Sequence, residues 1–150
     1  MTTASDNQGV LAGRTLVTGV VGDDIHVIGI RLVDHALKAA GANIVSLGVM
    51  TPVQEFVEAA IETAADGVVM SSSNGHAALF CEGIRDVFTE AGIGSMPLFI
   101  GGNLAVGKQA SWEEVEQDYL DLGFDLVFPP NAGLDAAMQR LADCLADRAR

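Results

Sequence analysis

Apolar runs of strand length alternate along the chain with segments whose apolar positions recur at helical spacing. TLVTGVV (Thr15 to Val21) predicts a first strand, and Val27 to Ala40 a helix stopped by Gly41. Ala42 to Leu47 follows as the second strand. Thr51 and Pro52 then supply the cap and first turn of a helix running to about Ala64. GVVMSS (Gly67 to Ser72) is the third strand, and His76 to Ala91 a helix stopped by Gly92. PLFIGG (Pro97 to Gly102) is the fourth strand. Ser111, with Glu114 three residues on, forms a capping box for a helix to Leu122, which Gly123 ends. Asp125 to Phe128 is a short fifth strand, and Leu134 to Arg148 the closing helix.

The five strands are apolar on both faces, as strands are in a parallel sheet covered by helices. Right-handed crossovers then give one α/β domain: a single doubly wound, flavodoxin- or Rossmann-like sheet in the order 2-1-3-4-5. Its ligand crevice lies between the ends of the first and third strands. The expected division is a flexible lead-in over residues 1–13, too short for a helical domain of its own, and a binding domain over residues 14–150.

Composition narrows the function. With 150 residues, 49% hydrophobic and 19% charged, the chain suits one globular core. Its net charge of −12, with 8 basic residues, argues against nucleic acid and anionic membranes, which need clustered Lys and Arg. No apolar stretch reaches the ~20 residues of a membrane span. The start lacks the pattern of a signal peptide. Cys81 and Cys144 form neither a CxxC pair nor a disulfide framework, so a reducing cytoplasm is the expected setting.

The chemistry is expected where strands hand over to helices. After the first strand comes GDDIHVIG (Gly22 to Gly29), and after the third Ser71-Ser72-Ser73-Asn74-Gly75-His76. After the fourth comes Gly101-Gly102-Asn103-Leu104-Ala105-Val106-Gly107, and after the fifth Pro129-Pro130-Asn131. A dinucleotide site needs GxGxxG, which is absent, and Asp23 and Asp24 would repel a pyrophosphate. The hydroxyl-rich phosphate wrap of a flavin mononucleotide site is also missing. A phospho-receiver domain uses paired acids here but needs an Asp after its third strand, where serines stand. A metal-centred cofactor held by His26 has better physical grounds. A metal-bound imidazole usually donates its other N–H to a carboxylate, and Asp24 is one residue removed. Gly29 would let a bulky planar ligand lie close to the helix start.

The plainer readings are these. A lone histidine at such a junction is more often a cap or a solvated side chain. His35 points away from His26 and is read as structural, and His76 either meets a ligand or merely begins a helix. The cysteines are small packing residues, Trp112 is a packing anchor, and the acids from Glu113 to Asp118 form a solvated helix face.

Asp24-Ile25-His26-Val27-Ile28-Gly29 reads as DxHxxG, the signature of cobalamin-binding domains that hold B12 base-off and His-on. With Ser71-Ser72, GGNLAVGKQ (Gly101 to Gln109) and LGVMTP (Leu47 to Pro52), the chain from about Arg14 onward resembles the small (S, or sigma) subunits of glutamate mutase, also called methylaspartate mutase. The resemblance implies that His26 is the axial cobalt ligand and that Asp24 is its hydrogen-bond partner. It implies that Asp23, Asp24, Ile25, His26, Val27 and Gly29 line the corrin. Ser71, Ser72 and Ser73 would face the nucleotide tail, and Gly101, Gly102, Asn103, Leu104, Ala105, Val106 and Gly107 would line the same pocket. The implied cofactor is adenosylcobalamin. The implied partner is a separate barrel subunit in a heterotetramer, and the implied activity is a radical isomerase that interconverts L-glutamate and L-threo-3-methylaspartate. By that resemblance the chain is inactive alone and holds no acid–base catalyst. The alternative is a cobalamin carrier or sensor that docks to another mutase, a methyltransferase or a regulator. One departure is visible. Such subunits tend to carry a bulkier aliphatic–aromatic pair after the serines, whereas Ser73-Asn74-Gly75-His76 implies a more polar tail pocket.

Overall fold

The computed structural model describes residues 9–24, 28–104 and 111–148. In chain order the elements are β1 (Thr15–Val20), α1 (Ile28–Ala39), β2 (Asn43–Ser46), α2 (Val53–Glu62), β3 (Gly67–Ser72), α3 (Ala77–Phe80), α4 (Ile84–Glu90), β4 (Leu98–Gly102), α5 (Trp112–Leu122), β5 (Leu126–Phe128) and α6 (Leu134–Arg148). All strand pairs are parallel, and the sheet order is β2-β1-β3-β4-β5, the order expected for a five-stranded doubly wound sheet. Among the described residues no helix is long and apolar enough to cross a membrane.

Strand side chains alternate between two cores because successive residues point to opposite faces. Val17, Val68, Met70, Leu98, Ile100 and Val127 meet α2, α3, α4 and α5 through Phe56, Phe88 and Tyr119. Leu16, Val69, Phe99 and Phe128 meet α1 and α6 through Leu37, Met138, Leu141 and Leu145. Leu11 joins this second core. It is fully buried and its N–H donates to Ala40 O at 2.8 Å, so the packed domain reaches back into the expected lead-in.

The amino edge of the sheet is tied by two aspartates that each precede a strand. Asp66 Oδ2 accepts from Thr15 N at 2.8 Å, and Asp125 Oδ2 accepts from Leu98 N at 2.8 Å. Each carboxylate thus satisfies the first N–H of a neighbouring strand, a donor with no ladder partner of its own. Arg85 closes the second corner. Its guanidinium donates to Gly94 O at 2.9 Å, to Met96 O at 2.7 Å and to Gly123 O, and it pairs with Asp125 at 3.2 Å.

Two local expectations are corrected. The helix expected over His76 to Ala91 is broken into α3 and α4 at Cys81–Gly83, where Gly83 is left-handed at φ 71°. The break serves packing: Ala77, Cys81 and Ile84 are all buried, and Phe80 lies over Gly22. A Cβ on Gly22 would clash with that ring, which explains the glycine. The start of α2 also differs. Its cap residue is Pro52, and the Thr51 hydroxyl donates to Val49 O at 3.3 Å and not to the helix. At α5 the expected cap is present, with Glu114 N donating to Ser111 Oγ at 3.3 Å.

Two weak acids are locked in the core beneath the β3–β4 edge. Burial pushes the Cys81 thiol up to about 12 from 9.0. Burial, and then the neighbouring Cys81 charge, push the Tyr119 hydroxyl up to about 12 from 10.0, while that hydroxyl donates to Leu104 O at 2.7 Å. Raised acid pKa values make the neutral forms part of the folded state. Their contribution is complete below the unfolded values and is lost as pH rises toward the folded ones. The urea midpoint is therefore expected to hold up to about pH 9 and to fall between there and about pH 12. In Cys81→Ala the first part of that fall should be smaller. An identical alkaline profile in the variant would refute the assignment.

Candidate functional site

The register of the parallel ladder builds the site. Val20 pairs with Ser71, Ser71 with Gly101, and Gly101 with Phe128, so these four residues form one row across β1, β3, β4 and β5 near their carboxyl ends. In-register residues share a face, and this row faces α1 and α6. The two middle members are small. A gap therefore opens over β3 and β4, between Val20 on one side and Phe128 on the other.

The gap is a cavity of about 430 Å³. Gly29, Leu32 and Val33 of α1 form one wall, and Leu134, Met138 and Leu141 of α6 the other. Ser71, Ser72, Ser73, Gly101, Gly102 and Asn103 supply its rim and floor. A Cβ on Gly29 would meet only Ser71 Oγ, at 3.9 Å, so any side chain there would project toward the cavity. Gly102 is fixed by its backbone: φ is 107°, and a Cβ would overlap Ser72 O. Ser72 Oγ is buried without a hydrogen-bond partner among the described residues. An unpaired buried hydroxyl costs free energy that a bound acceptor or donor would recover.

Of the expected site residues, Gly29, the three serines, Gly101, Gly102 and Asn103 come together around this cavity. Leu104 does not: it is 3% exposed in the opposite core, and its carbonyl holds Tyr119. Ile25, His26, Val27, Ala105, Val106 and Gly107 lie outside the described residues. Phe128, Pro129, Pro130 and the α6 wall were not among the expected site residues. The Pro-Pro-Asn run after the fifth strand was the available signal, and the strand register gives it meaning.

Asp23 and Asp24 stand beside the cavity with different tasks. The Asp24 carboxylate is buried, and Oδ2 accepts from Ser73 N at 2.5 Å and Asn74 N at 3.0 Å. Its carbonyl accepts from Met50 N at 2.9 Å. Asn103 completes the chain of ties, donating from N to Ser72 O at 2.8 Å and from Nδ2 to Ser73 O at 3.1 Å. The loops after β1, β2, β3 and β4 are thereby joined. Asp23 is half-exposed and accepts from Asn74 Nδ2 at 3.0 Å, with His76 Nδ1 3.6 Å away. Asn74 and His76 thus serve Asp23 and do not line the cavity, whose walls are mainly apolar. The expected extra polarity is confined to the rim.

These features define a class: a doubly wound domain with a deep, small-residue cleft over the ends of β3 and β4, shifted from the crevice expected between the first and third strands because the small residues stand in β3 and β4, and with a paired-acid loop beside it. A family model described as "B12 binding domain" matches residues 14–130. The glutamate mutase sigma subunit of Carboxydothermus hydrogenoformans is 45% identical over 130 residues, covering 87% of this chain and 94% of the relative. That of Clostridium tetani is 42% identical over 125 residues, covering 81% and 90%. Among solved structures, the Methanosarcina barkeri monomethylamine corrinoid protein superposes with a TM-score of 0.65 at 26% identity. It covers 93% of this chain, and the chain spans 61% of that protein's length. The chain belongs to the B12-binding domain family and, within it, to the glutamate mutase sigma subunits.

The two amide donors on Asp24 allow a prediction. Asp24→Ala leaves Ser73 N and Asn74 N without their acceptor and is expected to cost about 3 kcal/mol in urea unfolding. Asp24→Asn, which keeps one acceptor oxygen, should cost less. A loss below about 0.5 kcal/mol in Asp24→Ala would show that the tie is not structural.

Proposed function

We propose that this chain is the cobalamin-binding subunit of glutamate mutase, a two-component isomerase whose substrate-binding barrel is a separate subunit. The observation that carries the reading is the row Val20–Ser71–Gly101–Phe128, which opens a cleft of about 430 Å³ walled in part by Gly29, the last residue of DxHxxG. Residues 14–130 match the B12-binding family, and sigma subunits are the relatives at 42% and 45% identity.

On this reading His26 would hold the cobalt of the cofactor through an imidazole nitrogen. Asp24 holds the turn after β3 and would orient the imidazole. The cleft would take the cofactor's nucleotide tail. Ser71 would offer its hydroxyl to the polar part, Gly29 and Gly101 leave room, and the α6 wall of Leu134, Met138 and Leu141 would exclude water from the aromatic end. When bound as adenosylcobalamin, the cofactor supplies an adenosyl radical by homolysis of its cobalt–carbon bond, for rearrangement of L-glutamate to L-threo-3-methylaspartate. This chain binds, orients and buries, and it contributes no acid or base to the rearrangement. It is inactive without the large subunit, with which it forms a heterotetramer in the cytoplasm.

A cobalamin carrier for methyl transfer is the second reading, favoured by the superposition on the corrinoid protein. It is the weaker one, because the sigma subunits match at higher identity and over nearly their whole length.

The test is the visible spectrum of protein mixed with cobalamin and gel-filtered, beside His26→Ala, with and without the large subunit. Wild type is expected to retain corrin in the His-on form, and with the large subunit to convert L-glutamate. His26→Ala is expected to bind at least tenfold more weakly, about 1.4 kcal/mol or more, and to give no turnover. Full turnover in that variant would refute the axial-ligand assignment. Retention of cobalamin by wild type without glutamate turnover in the complex would favour the carrier reading.

A further inference from the structure

Asn74, in the turn between β3 and α3, sits where three hydrogen bonds meet. Its backbone N–H donates to Asp24 Oδ2 at 3.0 Å, its Nδ2 donates to Asp23 Oδ1 at 3.0 Å, and its Oδ1 accepts from His76 N at 3.0 Å. One residue of the β3 turn therefore holds both acids of the β1 loop, although Asp23 and Asn74 are 51 positions apart in sequence. Asp24 is buried, and two backbone amides donate to its carboxylate. Asp23 is half-exposed, and only the Asn74 amide and His76 are placed to fix it among the described residues. Asn74 is not among the residues that line the cavity.

We infer that Asn74 is a positioning residue for the cobalt-binding loop: it fixes Asp23 and Asp24, from which the chain runs directly to His26, before the cofactor arrives. The physical reason is preorganisation. A ligand-bearing loop that is already held loses less freedom on binding, and that saving appears as affinity. The chemistry of the side chain suits the task. Two adjacent carboxylates repel each other, and a carboxamide offers an N–H to one of them while its oxygen engages His76 N. A serine hydroxyl here would accept from His76 N only weakly and is too short to donate to Asp23 as well, and a glycine would do neither. This inference rests on the cobalamin reading above.

Asn74→Asp tests it with almost no change of shape. The variant keeps the backbone bond to Asp24 but sets a carboxylate against Asp23. Asp23→Asn/Asn74→Asp restores the pair with donor and acceptor exchanged, and the second oxygen of the introduced carboxylate still meets His76 N. Cobalamin titration followed by absorbance is expected to show about tenfold weaker binding and a smaller His-on fraction in Asn74→Asp, against about fivefold weaker binding in Asn74→Ala. The double variant should return to within about twofold of wild type. Amide exchange at Asp23 and Asp24 in ligand-free protein should accelerate in Asn74→Asp and recover in the double variant. A fall in affinity without rescue would mean a merely structural role and would overturn the inference, as would wild-type binding by Asn74→Asp. If wild-type protein takes up no cobalamin, alone or with the large subunit, the cobalamin reading itself fails. Unchanged amide exchange in Asn74→Asp would overturn the tether independently of any cofactor.

Discussion

The carboxylate of Asp24 is the constraint on which the ligand edge depends. A buried charge is tolerated only where hydrogen bonds replace its lost water. Here the replacements are the Ser73 and Asn74 amides, at 2.5 and 3.0 Å. That requirement brings the loop after β1 against the turn after β3, across the switch point of the sheet. Met50 N on the Asp24 carbonyl adds the loop after β2, and Asn103 on the Ser72 and Ser73 carbonyls adds the loop after β4. Two acids at a strand–helix junction, which would repel a phosphate, thus become the framework of a different kind of site.

The cleft itself follows from a second constraint, the fixed register of parallel strands. Ser71 and Gly101 lie in one row between Val20 and Phe128, so small residues at two points in sequence become one continuous gap. Helices α1 and α6 cannot close it, because Gly29 contributes no side chain and the α6 residues stand back as a wall. Ser71, which shares the face of this row, with Ser73 and Asn103 at the rim, gives the mainly apolar cleft its polar groups. Glycine is required by geometry at Gly102, where any Cβ would strike the Ser72 carbonyl.

Much of this was legible in the sequence. The strands could be read because a parallel sheet buried on both faces leaves short, unbroken apolar runs, and their order was the common one for a five-stranded doubly wound sheet. The strand-end serines and glycines could be placed on the ligand edge for the same reason. The break at Gly83 was not legible, since one glycine within a helical pattern is usually tolerated; packing of Phe80 on Gly22 decides it. The α6 wall was hidden because its membership depends on tertiary register. The partners of Asp24 were hidden because they lie 49 and 50 residues away and are backbone amides, which carry no sequence signature. Asn74 and His76 looked like unexplained departures until Asp23 appeared between them.

The central claim is that a protein imidazole, that of His26, takes the lower axial position on cobalt. The most direct measurement is the electron paramagnetic resonance spectrum of the protein loaded with cob(II)alamin, made once with natural-abundance protein and once with ¹⁵N-histidine. Each cobalt line is split by the axial nitrogen, as a triplet for ¹⁴N and a doublet for ¹⁵N. The account predicts that labelling the protein changes triplets to doublets, and that His26→Ala loses the effect. Triplets that persist in the labelled protein would show that the cofactor's own base remains bound, and would contradict the account.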